Sequence, residues 1–154
     1  MATIRVQQAP FDVAAEMLAL AASGGDGIGG IGSFVGLVRA DANPQGRCVV
    51  ALTLEHYPGM TERALADIAA EAERRFSLLA CTLIHRVGTL PVGAPIVLVL
   101  AAAPHRRDAL DATGFLIDWL KTGAPFWKRQ DHDDGSSVWI EARDDDDLAA
   151  AQWG

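Results

Sequence analysis

The apolar positions change period along the chain, and each change marks an element. Asp12 precedes a stretch rich in Ala, Leu and Met and is suited to cap a helix over residues 13–22, which the run Gly24-Gly25-Asp26-Gly27 ends. Residues 31–38 read as a strand whose Gly32 and Gly36 allow close backbone approach. A polar loop over 40–47, containing Asn43-Pro44-Gln45-Gly46, leads into a second alternating strand over 48–55. After a Pro58-Gly59 turn, Thr61 is expected to cap the longest helix, 62–76, with Leu65, Ile68, Ala69, Ala72 and Phe76 on one face. Strands over 80–87 and 96–103 are joined across a turn region at 88–93. Pro104 opens a helix over 105–120 that turns Ala109, Ala112, Phe115, Leu116 and Trp119 inward. A short strand over 137–142 precedes an acidic tail, 143–154, expected to fray. Strands arriving in pairs with few βαβ alternations predict an α+β fold: one domain over 1–154, a mostly antiparallel sheet packed with helices.

Composition narrows this picture. The 154 residues are half hydrophobic, enough for a core and too apolar for extended disorder. The longest apolar run, 95–104, is strand-sized, so no membrane span is predicted, and the N-terminus lacks a secretory pattern, so a cytoplasmic location is expected. Cys48 and Cys81 have no CxxC or His partner spacing and read as two reduced core thiols rather than a metal or disulfide framework. A net charge of −7 argues against nucleic-acid binding, which needs a basic face. The charge is uneven, however: residues 121–130 hold Lys121, Lys128 and Arg129 and no acid, while the following segment is dominated by carboxylates. A local cationic cluster on an acidic protein suits a small anion.

Five segments in order carry a resemblance. They are Phe34-Val35-Gly36-Leu37-Val38-Arg39, then Leu54-Glu55-His56-Tyr57-Pro58-Gly59-Met60-Thr61, then His85-Arg86-Val87-Gly88, then His105-Arg106, then Asp118-Trp119-Leu120-Lys121-Thr122 running into Ala124-Pro125-Phe126-Trp127-Lys128. Together they resemble the molybdopterin synthase catalytic subunit family over nearly the whole chain. The resemblance implies an α+β homodimer that binds two copies of a small ubiquitin-like sulfur carrier, giving a heterotetramer. It implies a carrier tail ending in Gly-Gly with a terminal thiocarboxylate, and cyclic pyranopterin monophosphate as the substrate that receives the dithiolene sulfurs. It implies no cofactor and no bound metal.

Both reactants are anions, so a site for them needs cations and hydrogen-bond donors. Lys121 is expected to act as base or oxyanion stabiliser, with Lys128 orienting the tail or sharing the proton work; two lysines seven positions apart on a buried turn would depress each other's pKa. Arg39, His105, Arg106 and Arg129 are expected to hold phosphate and pterin, the arginines through paired donors. Leu37, Val38 and Gln130 complete the expected substrate contacts, although Leu37 and Gln130 replace polar or basic and acidic residues common in the family. A straight helix over 105–120 would put Arg106 about 22 Å from Lys121, so His105 and Arg106 are expected to come from a second subunit. Phe126 and Trp127 suit either core or pocket wall, His56 and Tyr57 suit local structure, and Arg86 suits a structural ion pair. The rival readings are a Schiff-base lysine lyase and a non-catalytic docking module for a ubiquitin-like partner.

Overall fold

The computed structural model describes residues 2–41, 46–140 and 144–154. The expected loop signal at Asn43-Pro44-Gln45 and the last residues of the expected strand over 137–142 lie outside the described residues. The elements run β1 (Ala2–Gln7), α1 (Val13–Ser23), β2 (Gly30–Leu37), β3 (Val49–His56), α2 (Met60–Phe76), β4 (Ala80–Arg86), β5 (Gly88–Pro91), β6 (Pro95–Ala103), α3 (Arg106–Gly123), β7 (Phe126–His132), β8 (Ser137–Ile140) and α4 (Asp144–Ala151).

Two four-stranded sheets result, ordered β1-β4-β6-β2 and β5-β3-β7-β8. The β1–β4 pair is parallel and the other pairs are antiparallel, as an α+β chain of mostly antiparallel strands predicts. The first sheet is covered on both faces. Cys81, Leu83, Val97, Val99 and Ala101 meet α2 and α3 on one side. Ala80, Ile84, Leu98, Leu100 and Ala102 meet α1 on the other. Successive strand side chains point to opposite faces, so burial of both faces demands an unbroken apolar run, and β6 supplies it.

Helix α3 lies against β2 through a close approach at Gly32. A Cβ there would stand 2.5 Å from the Ala109 carbonyl oxygen and 2.3 Å from the Thr113 hydroxyl, which itself donates to that carbonyl at 2.7 Å. Only glycine fits. At the other end of the domain, Thr61 does not cap α2; Gly59 does, at φ 86°, a left-handed backbone that favours glycine. Thr61, fully buried, instead accepts from the Tyr57 N–H at 3.0 Å and donates to the Pro125 carbonyl at 2.9 Å. It thereby ties the start of α2 to the entry of β7.

Several expectations are corrected by tertiary context. Strands β1, β5 and β7 were not among the expected elements: β1 alternates apolar and polar residues from Ala2 to Gln7, whereas β5 and β7 carry little period-2 signal and form by pairing with β3. The longest helix is α3, at 18 residues, one more than α2. Among the described residues Arg86 has no ion-pair partner; its guanidinium donates to the carbonyls of Gln8 at 3.0 and 3.1 Å and Pro95 at 3.2 Å. Cys81 is buried but Cys48 is exposed, beside the β7–β8 hairpin. Burial pushes the Cys81 thiol up to about 12, with the Glu73 carboxylate adding to the shift. Within the acidic tail, Asp144–Ala151 forms α4. Trp153 anchors it: its ring edge meets Phe76 and Phe115, each at 5.8 Å, and its indole N–H donates to Asp118 at 2.8 Å.

Two stability outcomes follow. Gly32→Ala forces a methyl into the backbone of α3 and should cost about 1–3 kcal/mol in urea unfolding, with the transition remaining cooperative. Trp153→Ala should cost about 2–3 kcal/mol by removing two ring contacts and a hydrogen bond, and amide exchange should rise throughout α4.

Candidate active site

The C-terminal turn of α3, the inner face of β7, the end of β4 and the end of β2 converge on a cavity of about 480 Å³. Lys121 projects from the last turn of α3 and Lys128 from β7, and both line it. This corrects the expectation that the two lysines share one buried turn: Lys121 is exposed at a helix end and Lys128 is half-buried on a strand. Alternation along β7 turns Phe126, Lys128 and Gln130 to the cavity.

The end of β2 supplies the opposite wall. Its register against β6 shifts between Gly36 and Leu37, a bulge that re-aims the following side chains. Phe34, Leu37, Val38 and Arg39 all line the cavity. Val38 is held by backbone bonds on both sides, donating to Ala94 and accepting from Gly93. Arg39 stands at the mouth, largely exposed, and pairs with Asp41 at 2.9 Å.

Three expected site residues lie elsewhere in this chain. Arg129 points to the far side of β7, donates to Asp131 at 2.9 Å and to Thr53 at 3.3 Å, and stacks over Trp139. His105 and Arg106 stand exposed at the N-terminus of α3. That helix is unbroken to Gly123, so they sit about 22 Å along its axis from Lys121. Within one copy they do not reach the cavity.

One residue belongs to the cavity although the sequence reading left it as a strand end. His85 is 4% exposed and lines the cavity floor. Its ring stacks on Phe126 at 3.8 Å with 20° between planes, and its Nδ1 lies 2.8 Å from the Arg86 carbonyl. Burial pushes the imidazole down to about 4; the Arg86 carbonyl opposes that, and the charges of Lys128, Lys121 and His56 reinforce it. The signal was present in the strand period: Cys81 and Leu83 face α2 and α3, so His85 shares their side. Phe126 is both core and wall, packing on the main cluster as well as on His85. Trp127 faces outward beside Tyr57 at 6.5 Å.

The cavity therefore combines apolar walls with Lys121, Lys128 and Arg39, and among the described residues its lining contains a single carboxylate, Asp41, already paired to Arg39. Such a site favours an anion with an apolar or planar body. Among the described residues no group of three metal-ligating side chains occurs.

The chain is similar to known proteins over nearly its whole length. The MoaE protein family model matches residues 6–123. The molybdopterin synthase catalytic subunit of Pseudomonas aeruginosa is 52% identical over 150 residues, covering 97% of each chain. A solved molybdopterin biosynthesis MoaE protein from Burkholderia ambifaria superposes with a TM-score of 0.83 at 48% identity, covering 100% of this chain and 99% of the other. A protein–protein complex of subunits 1 and 2 of molybdopterin-converting factor from Helicobacter pylori contains a chain with a TM-score of 0.74 at 19% identity, covering 91% of each, a likeness of fold. By sequence over nearly its full length, and by a fold that places two lysines in one apolar-walled cavity, the chain belongs to the MoaE family of molybdopterin synthase catalytic subunits.

Proposed function

We propose that this chain transfers sulfur from the thiocarboxylated C-terminus of a small ubiquitin-like carrier to cyclic pyranopterin monophosphate, building the dithiolene of molybdopterin. The observation that supports it most is the shared cavity of Lys121 and Lys128, cationic at its working surface and apolar around it. The H. pylori complex, in which a chain of this fold is assembled with a second subunit, supports a partner subunit. A narrow glycine tail suits a cavity of this size, because it brings a terminal anion with no side chain to clear.

The chemistry needs charge control at two points. The thiocarboxylate sulfur attacks an electrophilic carbon of the pterin side chain: a C–S bond forms, that carbon's bond to oxygen breaks, the oxygen leaves with a proton, and the carrier is left as a thioester. Water then attacks the acyl carbon; the acyl C–S bond breaks, sulfur stays on the pterin and the carrier leaves with a carboxylate. The second step passes through an oxyanion, which the Lys121 ammonium stabilises. Lys128 orients the tail and shares the proton work. Arg39 receives the substrate phosphate at the mouth, exchanging its exposed pairing with Asp41 for a stronger one. A contact made by the Leu37 backbone is independent of its side chain, so the Leu37 departure costs little, while Val38, whose N–H and carbonyl are both bonded within the chain, lines the wall with its side chain. Gln130 replaces a carboxylate with a neutral amide and leaves the cavity more cationic. His105 and Arg106 act from the second copy of a homodimer, since one straight helix separates them from Lys121 in the first.

Reconstitution with thiocarboxylated carrier and cyclic pyranopterin monophosphate, scored by the fluorescent oxidation product of molybdopterin, tests the reading. Lys121→Ala should lower kcat by about 10²–10³-fold with carrier binding retained; near-normal turnover would falsify the assignment. Carrier binding by the wild-type chain with no product formed would favour a docking module instead. For the shared site, Arg106→Ala and Lys121→Ala chains should each be nearly inactive alone and regain part of the activity when mixed. No recovery in verified mixed dimers would place both residues in one subunit's site.

A further inference from the structure

His85 is a polar cavity residue to which neither the family likeness nor the lysine chemistry assigns a role. It is a buried polar side chain that the fold holds by three independent constraints. Strand β4 aims it at the cavity floor. The Phe126 ring stacks on it at 3.8 Å and fixes its plane. The Arg86 carbonyl fixes its rotation at 2.8 Å, and Arg86 is itself clamped to the carbonyls of Gln8 and Pro95.

These constraints settle the tautomer. A carbonyl oxygen only accepts, so Nδ1 carries the proton and donates to Arg86. Nε2 then carries the lone pair. Since Nδ1 is occupied by the backbone, Nε2 is the ring nitrogen left to the cavity that Lys121 and Lys128 line. Among the described residues, Lys128 on β7 and Lys121 on α3 are the cations that act most on the ring, followed by His56 on β3. The ring stays neutral there because its burial and those cations both oppose a further positive charge. A neutral acceptor in the cavity that two lysines also line does what a carboxylate could not. It orients an N–H without neutralising the cation that an incoming anion needs.

We infer that His85 is a positioning residue for the reaction, its unprotonated Nε2 accepting a hydrogen bond from the Lys121–Lys128 pair and holding an ammonium towards the acyl carbon of the bound tail. Phe126 is part of the device, since sliding the ring out of its stack would turn Nε2 away. The inference rests on the sulfur-transfer reading given above.

Amide side chains separate the two ring nitrogens. Asn at position 85 reproduces the Nδ1–H donor to Arg86 and lacks the Nε2 acceptor; Gln reaches the Nε2 position with an amide oxygen. The reconstituted synthase should be measured with wild type, His85→Asn and His85→Gln, with kcat expressed per carrier-binding site so that any unfolded fraction drops out. His85→Asn should lose roughly 10- to 100-fold in kcat, the effect of one hydrogen bond to a charged group, with KM for the carrier little changed. His85→Gln should recover at least a part of that loss. Wild-type turnover in His85→Asn, or equal losses in both variants, would overturn the role. Absence of product from the wild-type chain would instead overturn the sulfur-transfer reading, so the two failures are distinguishable.

Discussion

The approach of α3 to β2 at Gly32 is the constraint on which the site depends. Because no side chain separates the two backbones, the axis of α3 is fixed against the first sheet, and with it the direction in which its last turn leaves the core. Lys121 sits on that turn. The opposite wall, Phe34 to Arg39, belongs to the continuation of the same β2 strand, so one contact sets both sides of the cavity. The Thr61 hydroxyl adds the third fixed point by holding Pro125, which delivers Phe126 and Lys128 to the floor. A rigid scaffold of this kind lowers the reorganisation needed when charge develops in a reaction.

Electrostatics then distinguish this cavity from the rest of an acidic molecule. The chain carries seven more negative than positive formal charges, yet the cavity carboxylate is at the mouth and paired. Arg129 shows the contrast. One residue beyond Lys128, it is turned by the strand period into a network with Asp131 and Thr53, where its charge is spent on holding the sheet. Adjacent cations in sequence thus acquire opposite uses from a single geometric rule. The same rule brings His85, three strands of chain away, into the company of the lysines.

How much of this was legible depended on whether the signal was local. Helices α1, α2 and α3 were readable because Asp12, the Leu65-to-Phe76 face and the Ala109-to-Trp119 face repeat at helical spacing. Strands β2, β3, β4 and β6 were readable from apolar runs. Strand β7 was not, since Phe126-Trp127-Lys128-Arg129-Gln130 gains its pairing only from β3 and β8. The helix in the tail was not legible because its charge suggests solvation, whereas Trp153 packs on rings 38 or more residues distant. In the site, Lys121, Lys128, Arg39, Leu37, Val38 and Gln130 were named from family motifs and do line the cavity. Those motifs could not say that Arg129 faces away, because facing is a property of the strand that the motif itself did not reveal.

The order of strands in the first sheet has a bearing on how the chain reaches this state. Residues 2–7 pair with 81–86, and residues 30–37 pair with 95–103. The N-terminal third of the protein therefore contributes two strands that have no neighbour until the central segment, β4 and β6, has been made. Closing those loops costs chain entropy before any sheet contact is gained, which places the molecule among slow, topology-limited folders. During synthesis the apolar β2 strand must wait for β6 to emerge, an interval in which its hydrophobic side chains are open to wrong partners.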